Sequence, residues 1–285
     1  MTHWQTARYR IDLRQPQVMG IVNVTPDSFS DGGQHADTAA ALRHCEQLLK
    51  DGADLLDIGG ESTRPGSPAV PLEQELARVL PVLRAAVGLG APVSVDTCKP
   101  EVMTAALDLG ADIINDIWAL RRPGALDAVA RHPSCGICLM HMHRNPQTMQ
   151  TAPMTGDPVP QVLSFLKLAA QSAQARGVER SRIVLDPGIG FGKTVAQNFA
   201  LLARQHELLS AGYPLLVGWS RKSSIGAALQ GDAPAPPPPA GRVLGSVAAA
   251  LLAVERGARI VRVHDARETA QALAVWRQMR QTLPS

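Results

Sequence analysis

Eight short runs of apolar, mostly β-branched residues alternate with longer segments of helical periodicity. This alternation limits the possible fold more than any other feature of the chain. The intervening segments carry apolar residues at a spacing near 3.6, which is typical of amphipathic helices. The runs are VMGIVN (18–23), DLLDIGG (54–60), PVSVD (92–96), DIINDI (112–117), GICLMH (136–141), RIVLDPG (182–188), PLLVGWS (214–220) and RIVRVHD (259–265).

Eight strand–helix units over about 250 residues are the number found in a closed (β/α)8 (TIM) barrel. An open doubly wound sheet also alternates strands and helices. Polar residues follow nearly every run, which favours the barrel, because there all strand ends meet around one mouth. We therefore predict one α/β domain, with a short hairpin over residues 1–16 packed on a barrel over 17–285. The strand-end residues are Asn23, Asp57, Asp96, Asn115, Asp116, His141, Asp186, Ser220, Lys222, Arg262 and His264.

Composition argues against several classes of partner. The net charge is +3 and no dense Lys/Arg run occurs, so we expect no nucleic-acid partner. No stretch of about 18 apolar residues is present, and the start MTHWQTARYRIDL has no apolar core, so we expect neither a membrane span nor a secretory signal. Four unevenly spaced cysteines indicate a reducing cytoplasm. The pair Cys135 and Cys138 is interpreted as structural or incidental.

Two long polar loops follow the first two runs, at residues 20–33 and 59–67. Long polar loops in a compact domain are usually functional or disordered. Together they are predicted to form a mobile lid over the mouth, and Phe29 would gain contacts when it closes. A flexible surface loop remains the alternative. The charged residues of the two loops are Asp27, Asp31, Glu61 and Arg64.

Two further segments indicate ligand contacts. VLDPGIGFGKT (184–194) contains GKT, but Pro187 stands where a P-loop needs its first glycine. We interpret it as a glycine-rich loop whose backbone approaches a ligand, with the ring of Phe191 beside it. GWSRKSSIG (218–226) places Ser220, Arg221 and Lys222 at the start of a predicted helix, where an anion can bind. A capping serine with solvated bases is the alternative.

Side-chain alternation places Arg262 and His264 on one face of the last strand. A cationic pair there indicates a phosphate or pyrophosphate site. Acidic and amide side chains at positions 96, 115 and 186 on separate strands suit a flat heterocycle with several N–H donors. A metal pair at His141 and His143 is the less favoured interpretation of the HMH motif.

The set of motifs resembles that of the dihydropteroate synthases, a pterin-binding family of the folate pathway. The resemblance implies a (β/α)8 fold, a homodimer and Mg²⁺. It also implies a transferase that joins 6-hydroxymethyl-7,8-dihydropterin diphosphate to 4-aminobenzoate, releasing pyrophosphate by an SN1-like route, with sulfonamides as competitive inhibitors. The matching stretches, between residues 17 and 280, are MGIVNVTPDSFSDGG, DIGGESTRPG, VSVDT, IINDI, LMHM, LDPGIGFGK, VGWSRKS and RVHD.

The resemblance also implies roles for matched residues. The pterin would be held by Asp96, Asn115, Met140, Asp186, Lys222 and Arg262. The diphosphate would be held by Asn23, Thr63, Arg262 and His264, with Asn23 also binding Mg²⁺. The aminobenzoate would be framed by Thr63, Arg64, Pro65, Phe191 and Ser220. The residues implied in catalysis are Asp96, Lys222, Arg262 and His264, and those implied in the lid are Asp27, Phe29 and Asp31.

Two alternatives remain open on sequence grounds. One is a related barrel that binds reduced folates for methyl transfer to a corrinoid protein. The other is a pterin-binding paralogue without activity. Three departures from the family pattern are Cys98, Ile189 and Trp219. None removes a matched site residue, and Ile189 and Trp219 are expected to reshape the pocket edge.

Overall fold

The structure is a computed structural model that describes residues 1–25, 33–62 and 66–282. It opens with an antiparallel hairpin of β1 (His3–Gln5) and β2 (Arg10–Asp12). The remaining strands form a closed parallel barrel. They are β3 (Gln17–Asn23), β4 (Leu55–Gly59), β5 (Val93–Asp96), β6 (Ile113–Asp116), β7 (Gly136–Met140), β8 (Ile183–Asp186), β9 (Leu215–Val217) and β10 (Ala258–Val263).

The barrel closes where β10 pairs with β3, with Val261 opposite Val18 and Arg262 opposite Met19. An open doubly wound sheet has two free edges, so this pairing excludes it. All eight predicted strands are present, within a few residues of their expected bounds. The fold prediction of an eight-stranded barrel with an N-terminal hairpin is therefore confirmed.

Helices follow the strands and pack around the barrel. Glycines with positive φ follow several of these helices, as at Gly110 and Gly257, where the backbone adopts a conformation that favours glycine. The helices are α1 (Gly33–Lys50), α2 (Leu72–Ala86), α3 (Pro100–Asp108), α4 (Ala125–Arg131), α5 (Pro158–Ala175), α6 (Val195–Ala203), α7 (Gln205–Leu208), α8 (Ser223–Leu229), α9 (Val243–Glu255) and α10 (Ala266–Gln281). No helix in the described ranges is long and apolar enough to cross a membrane.

The barrel interior is apolar at the amino ends of its strands. Trp4 of the hairpin is completely buried there and packs in one cluster with Met19, Leu55 and Ile113. Its indole N–H donates to the carbonyl oxygen of Arg182 at 2.9 Å. The hairpin therefore closes this end of the barrel, and charged side chains occupy the opposite end.

The structure defines the surroundings of the cysteine pair and of the proline-rich segment DAPAPPPPAG (232–241). Cys135 and Cys138 are free, buried thiols, and Cys135 accepts a hydrogen bond from Arg182 at 3.2 Å. The proline-rich segment 232–241 is tied down by Arg242, whose Nε donates to the carbonyl oxygen of Pro237 at 2.8 Å. Arg242 also donates to the carbonyl oxygen of Arg221 at 3.0 Å. The segment is thus linked to the turn after β9.

Candidate active site

The carboxyl ends of the barrel strands bring the predicted pterin residues together. Asp96 lies opposite Asn115 in the β5–β6 ladder, and Met140 lies opposite Asp186 in the β7–β8 ladder. Gly59 of β4 lies opposite Asp96, where an added Cβ would come within 3.5 Å of the aspartate Cβ. These parallel ladders place all of these positions around one mouth.

Arg262 is held by two carboxylates at the centre of this site. Its Nε donates to Oδ2 of Asp57 at 2.6 Å, and its Nη2 donates to Oδ2 of Asp96 at 2.9 Å. Burial lowers the pKa of Arg262, but the two carboxylates raise it more, so the net shift is upward. The guanidinium is therefore a fixed positive charge in the mouth.

Asp96 titrates far from its ordinary range. Burial raises the pKa of its carboxyl to about 7, Arg262 opposes that rise, and Asp57, Asp116 and Glu75 add to it. The charge of Asp96 thus depends on its neighbours at neutral pH. Perturbed carboxyls of this kind are typical of functional sites.

Asp186 and Lys222 form the opposite wall. Burial raises the pKa of Asp186, which Lys222 opposes; burial also lowers the pKa of Lys222 to about 8, which Asp186 opposes. The Lys222 ammonium donates to the carbonyl oxygen of Ile189 and lies 4.7 Å from the centroid of the Phe191 ring. Lys222 therefore contacts the glycine-rich loop and interacts with Asp186 through charge.

The glycine-rich loop needs glycine at position 188, because its backbone lies against the backbone of His141. Gly188 has φ +65, and an added Cβ would lie 1.9 Å from the carbonyl oxygen of His141. Lys193, which is almost wholly buried, donates to the carbonyl oxygens of Gly188 at 2.7 Å and Phe191 at 3.1 Å. The glycine-rich pattern over residues 184–194 did not indicate this role of Lys193 in shaping the loop.

The serine before α8 contacts His264 rather than the helix. Helix α8 begins at Ser223 with Lys222 as its N-cap residue, so the prediction that Ser220 lies at a helix start is wrong. Arg221 adopts φ +58, which turns the chain before the helix. Ser220 Oγ instead lies 3.0 Å from Nδ1 of His264 and accepts from the backbone N–H of that histidine at 3.1 Å.

Apolar side chains line the site beside the acids. Met140, Met142 and Met149 form one buried cluster with Cys98 and Ile117, and the last two also line a cleft that reaches Asp96. Cys98 is one of the three departures from the family pattern, and the other two do not lie in this cluster. Ile189 and Trp219 are buried in the main core, where the ring of Trp219 packs 5.4 Å from Phe199.

A buried ion-pair network beneath the second loop was missed. Lys99 binds both Glu61 and Glu75 through its ammonium group. Glu75 is completely buried and also accepts from the Thr97 hydroxyl at 2.6 Å. Glu61 accepts from the backbone N–H of Val70 at 3.3 Å, so the network holds both ends of the segment 61–70, which contains most of this loop, to the residues that follow β5. Lys99 follows the run PVSVD (92–96) by three residues, but nothing local to it indicated its partners.

The remaining residues predicted for the site take no part in the hydrogen bonds and ion pairs described above. Asn23 is half-buried at the end of β3. Burial lowers the pKa of His141 to about 2, and its ring packs edge-on against Phe165 at 4.9 Å. Within residues 1–25, 33–62 and 66–282, no group of three or more His, Cys, Asp or Glu side chains is placed to hold a metal ion. Outside the described residues lie Asp27, Phe29, Asp31, Thr63, Arg64 and Pro65.

Comparison with known proteins gives the chain a family. The family model described as "Pterin binding enzyme" matches residues 19–264. A curated relative, dihydropteroate synthase of Neisseria meningitidis serogroup B, is 53% identical over 278 residues, covering 96% of each chain. The family match covers all eight barrel strands except the first two residues of β3.

Solved structures of similar proteins agree. A Xanthomonas albilineans dihydropteroate synthase with 4-aminobenzoic acid has TM-score 0.90 and 50% identity, covering 99% of each chain. A Burkholderia cenocepacia synthase complexed with 7,8-dihydropteroate has TM-score 0.88 and 49% identity, covering 98% of this chain and 97% of that one. A Yersinia pestis synthase with a sulfonamide drug complex has TM-score 0.91 and 45% identity, covering 98% and 100%. With its barrel, its ring of acids and bases and these relatives, the chain belongs to the pterin-binding enzymes and, within them, to the dihydropteroate synthases.

Proposed function

We propose that the chain joins 6-hydroxymethyl-7,8-dihydropterin diphosphate to 4-aminobenzoate and releases pyrophosphate. The observation that carries this proposal is the convergence of Asp96, Asn115, Asp186, Lys222 and Arg262 on one end of the barrel. The relatives' complexes with 4-aminobenzoic acid and 7,8-dihydropteroate support it. They favour a synthase over a corrinoid-dependent methyltransferase or an inactive paralogue.

The pterin would be recognised by acceptors on separate strands. Asp186 accepts the backbone N–H of Gly188 through Oδ1 at 2.6 Å, which leaves Oδ2 and the second lone pair of Oδ1 to accept a substrate N–H pair. Asp96 and the amide of Asn115 would accept further N–H groups, and Met140 would cover one ring face. Substrates that leave these acceptors unpaired are rejected, because a buried carboxylate without a partner is costly.

Bond cleavage would precede bond formation. The methylene–oxygen bond breaks with its electron pair passing to pyrophosphate, whose growing charge is stabilised by Arg262 and His264. The pterin-methylene cation left behind is favoured by the carboxylates of Asp96 and Asp186. The amine nitrogen of 4-aminobenzoate then forms the new C–N bond with its lone pair and loses a proton to solvent.

Mg²⁺ is the cofactor we propose. The half-buried amide of Asn23 stands at the strand end next to β10, which carries Arg262, and its oxygen is the hard donor that Mg²⁺ prefers. Because Mg²⁺ usually keeps few protein ligands and shares substrate phosphates, this donor fits an ion held mainly by the diphosphate. When bound, the ion would supply positive charge at the leaving group.

A homodimer and a cytoplasmic location complete the proposal. Leu244 and Leu252 on α9 and Val275 and Met279 on α10 are exposed, and such apolar groups on neighbouring helices suit a second copy of the chain. All four cysteines are free thiols, which suits a reducing compartment. Sulfonamides would compete with 4-aminobenzoate.

Pyrophosphate release tests the function directly. Purified protein, Mg²⁺ and the pterin diphosphate should release pyrophosphate only when 4-aminobenzoate is added, and 7,8-dihydropteroate should accumulate in equal amount. Arg262→Met is the matched control, because it removes the fixed positive charge. Pyrophosphate release independent of 4-aminobenzoate, or none with both substrates, would overturn the proposal.

A further inference from the structure

Asp57 is a completely buried carboxylate in the middle of the barrel. It lies two residues after Leu55, which packs in the barrel interior, and alternate residues of a strand share a face. Its Oδ2 accepts from Nε of Arg262 at 2.6 Å and from the amide nitrogen of Asn115 at 3.1 Å. One oxygen atom therefore connects two residues of the proposed pterin site.

The contact with Asn115 decides which end of that amide a ligand meets. An asparagine side chain has one donor end and one acceptor end. Because a carboxylate can only accept when ionised, Asp57 must face the nitrogen of Asn115. The carbonyl oxygen of Asn115 is then the atom left to accept an N–H group of the substrate.

The contact with Arg262 keeps the guanidinium paired during binding. In this structure Asp57 and Asp96 share Arg262. When Asp96 accepts from a pterin, its bond to Arg262 weakens, and Asp57 remains as a buried counter-charge. Without Asp57, the same step would leave a buried cation poorly compensated, which is costly.

Burying this carboxylate leaves polar atoms near it without hydrogen bonds, which destabilises the fold. Oδ1 of Asp57 and Oγ of Ser94, its opposite residue in the β4–β5 ladder, are buried and have no hydrogen-bond partner among the described residues. An apolar residue at position 57 would avoid the desolvation of a charge. Residues that break a packing rule in this way are typical of functional sites.

We propose that Asp57 is a positioning residue of the synthase, which orients the Asn115 amide and holds Arg262 for pterin recognition without touching substrate. The inference rests on the proposed function, and it extends the pterin site to a residue that does not touch the ligand. Its effect should therefore appear in pterin affinity rather than in the use of 4-aminobenzoate.

Asp57 also acts on Asp96 through charge. Asp96 faces Arg262, which lowers its pKa, and Asp57, Asp116 and Glu75, which raise it; Lys222 is a further charged neighbour. Removing the charge at position 57 removes one of the groups that raise the pKa. Asp96 should then ionise at lower pH, and the acid limb of pterin binding should move with it.

The test compares Asp57→Asn with Ser94→Ala, its equally buried neighbour, by titration with 6-hydroxymethylpterin. Well above pH 7, where Asp96 is ionised in both proteins, D57N should weaken pterin binding by about tenfold or more, and S94A should not. The acid limb of binding should shift to lower pH in D57N only, and the KM for 4-aminobenzoate should stay within about twofold of wild type, because no hydrogen bond to that substrate is lost.

The outcomes separate the two proposals. If wild-type protein binds no pterin, the proposed function fails. If wild type binds and folded D57N binds equally well with an unchanged acid limb, the role of Asp57 fails alone. Melting curves establish that D57N is folded; Asp57→Ser, which is smaller and also uncharged, replaces it if it is not, and the same two readouts apply.

Discussion

The hydroxyl oxygen of Ser220 lies 3.0 Å from Nδ1 of His264. That hydroxyl also accepts the backbone N–H of His264 at 3.1 Å. Ser220 therefore holds both the main chain and the ring of this histidine in place. A residue predicted for the aminobenzoate and one predicted for the diphosphate are thus joined in one hydrogen-bonded pair.

Ser220→Ala should affect the use of 4-aminobenzoate and the rate of catalysis, but not the affinity for the pterin. We expect the KM for 4-aminobenzoate to rise roughly three- to tenfold, which is the value of one hydrogen bond, and kcat to fall because His264 loses its orientation. Pterin affinity should change little. Steady-state kinetics with Ser223→Ala, an exposed neighbour, as control would check this. Loss of pterin affinity with intact aminobenzoate dependence would place the second substrate elsewhere in the mouth.

Asp186→Asn should keep the fold and weaken pterin binding. The charged acceptor for two substrate N–H groups is lost, at a cost of about 1.5–3 kcal/mol. The backbone N–H of Gly188 can still be accepted by the amide oxygen, so the loop should persist. Calorimetric titration with pterin, beside the surface control Asp127→Asn, gives the readout. Unchanged affinity in D186N would remove Asp186 from the pocket.

The barrel could be predicted because its signals are local. Each strand is an apolar run beside a turn, and each strand end carries its own polar residue, so no long-range pairing had to be known. The pairing of Arg262 with Asp57, 205 residues apart in the chain, depends on how the barrel closes and on its register. Spacing in the sequence contains no information on that contact.

The turn at Ser220 shows why some local signals mislead. A serine before bases and small residues is typical of a helix cap. Here the positive φ of Arg221 and the bond from its N–H to Ser246, at 2.8 Å, delay the helix by three residues. A tertiary contact from α9 overrides the local preference, and it releases the serine hydroxyl for His264.

Lys193 should make stability depend on pH. Burial lowers its pKa from 10.5 to about 7 in the folded protein. Between these values the unfolded chain binds a proton that the folded protein does not, so this group's contribution to stability rises with pH across that window. Lys193→Met lacks this contribution. The difference in Tm between wild type and K193M should therefore shift in favour of wild type from pH 7 to pH 10.

A constant Tm difference across that window would contradict the buried, depressed lysine. Lys167→Met is the control, since Lys167 lies outside the glycine-rich loop, on α5, and its substitution should leave the slope unchanged. The same K193M protein should show a raised KM for 4-aminobenzoate, because the loop that carries Phe191 loses a donor to two of its carbonyl oxygens.

The effects of substitutions in the network of Lys99 with Glu75 and Glu61 on the free energy of unfolding should not be additive. Lys99→Met leaves the completely buried Glu75 carboxylate without its counter-charge, and such a loss typically costs about 3–5 kcal/mol. Adding Glu75→Gln to K99M should restore part of that stability, since no buried charge is then left unpaired. Urea unfolding of the two single variants and the double variant measures the coupling.

The KM for 4-aminobenzoate shows whether the Lys99 network positions the second loop or only stabilises the fold. Glu61 holds the backbone N–H of Val70, so Lys99 fixes both ends of the loop between residues 60 and 70. The stability-restored K99M/E75Q protein should still show a higher KM for 4-aminobenzoate than wild type, with pterin affinity unchanged well above pH 7, where Asp96 is ionised in both proteins. Arg14→Met, which breaks an exposed ion pair with Asp12 far from the mouth, should alter neither. A double variant with wild-type KM would mean that the network supports the fold alone and does not position the second loop.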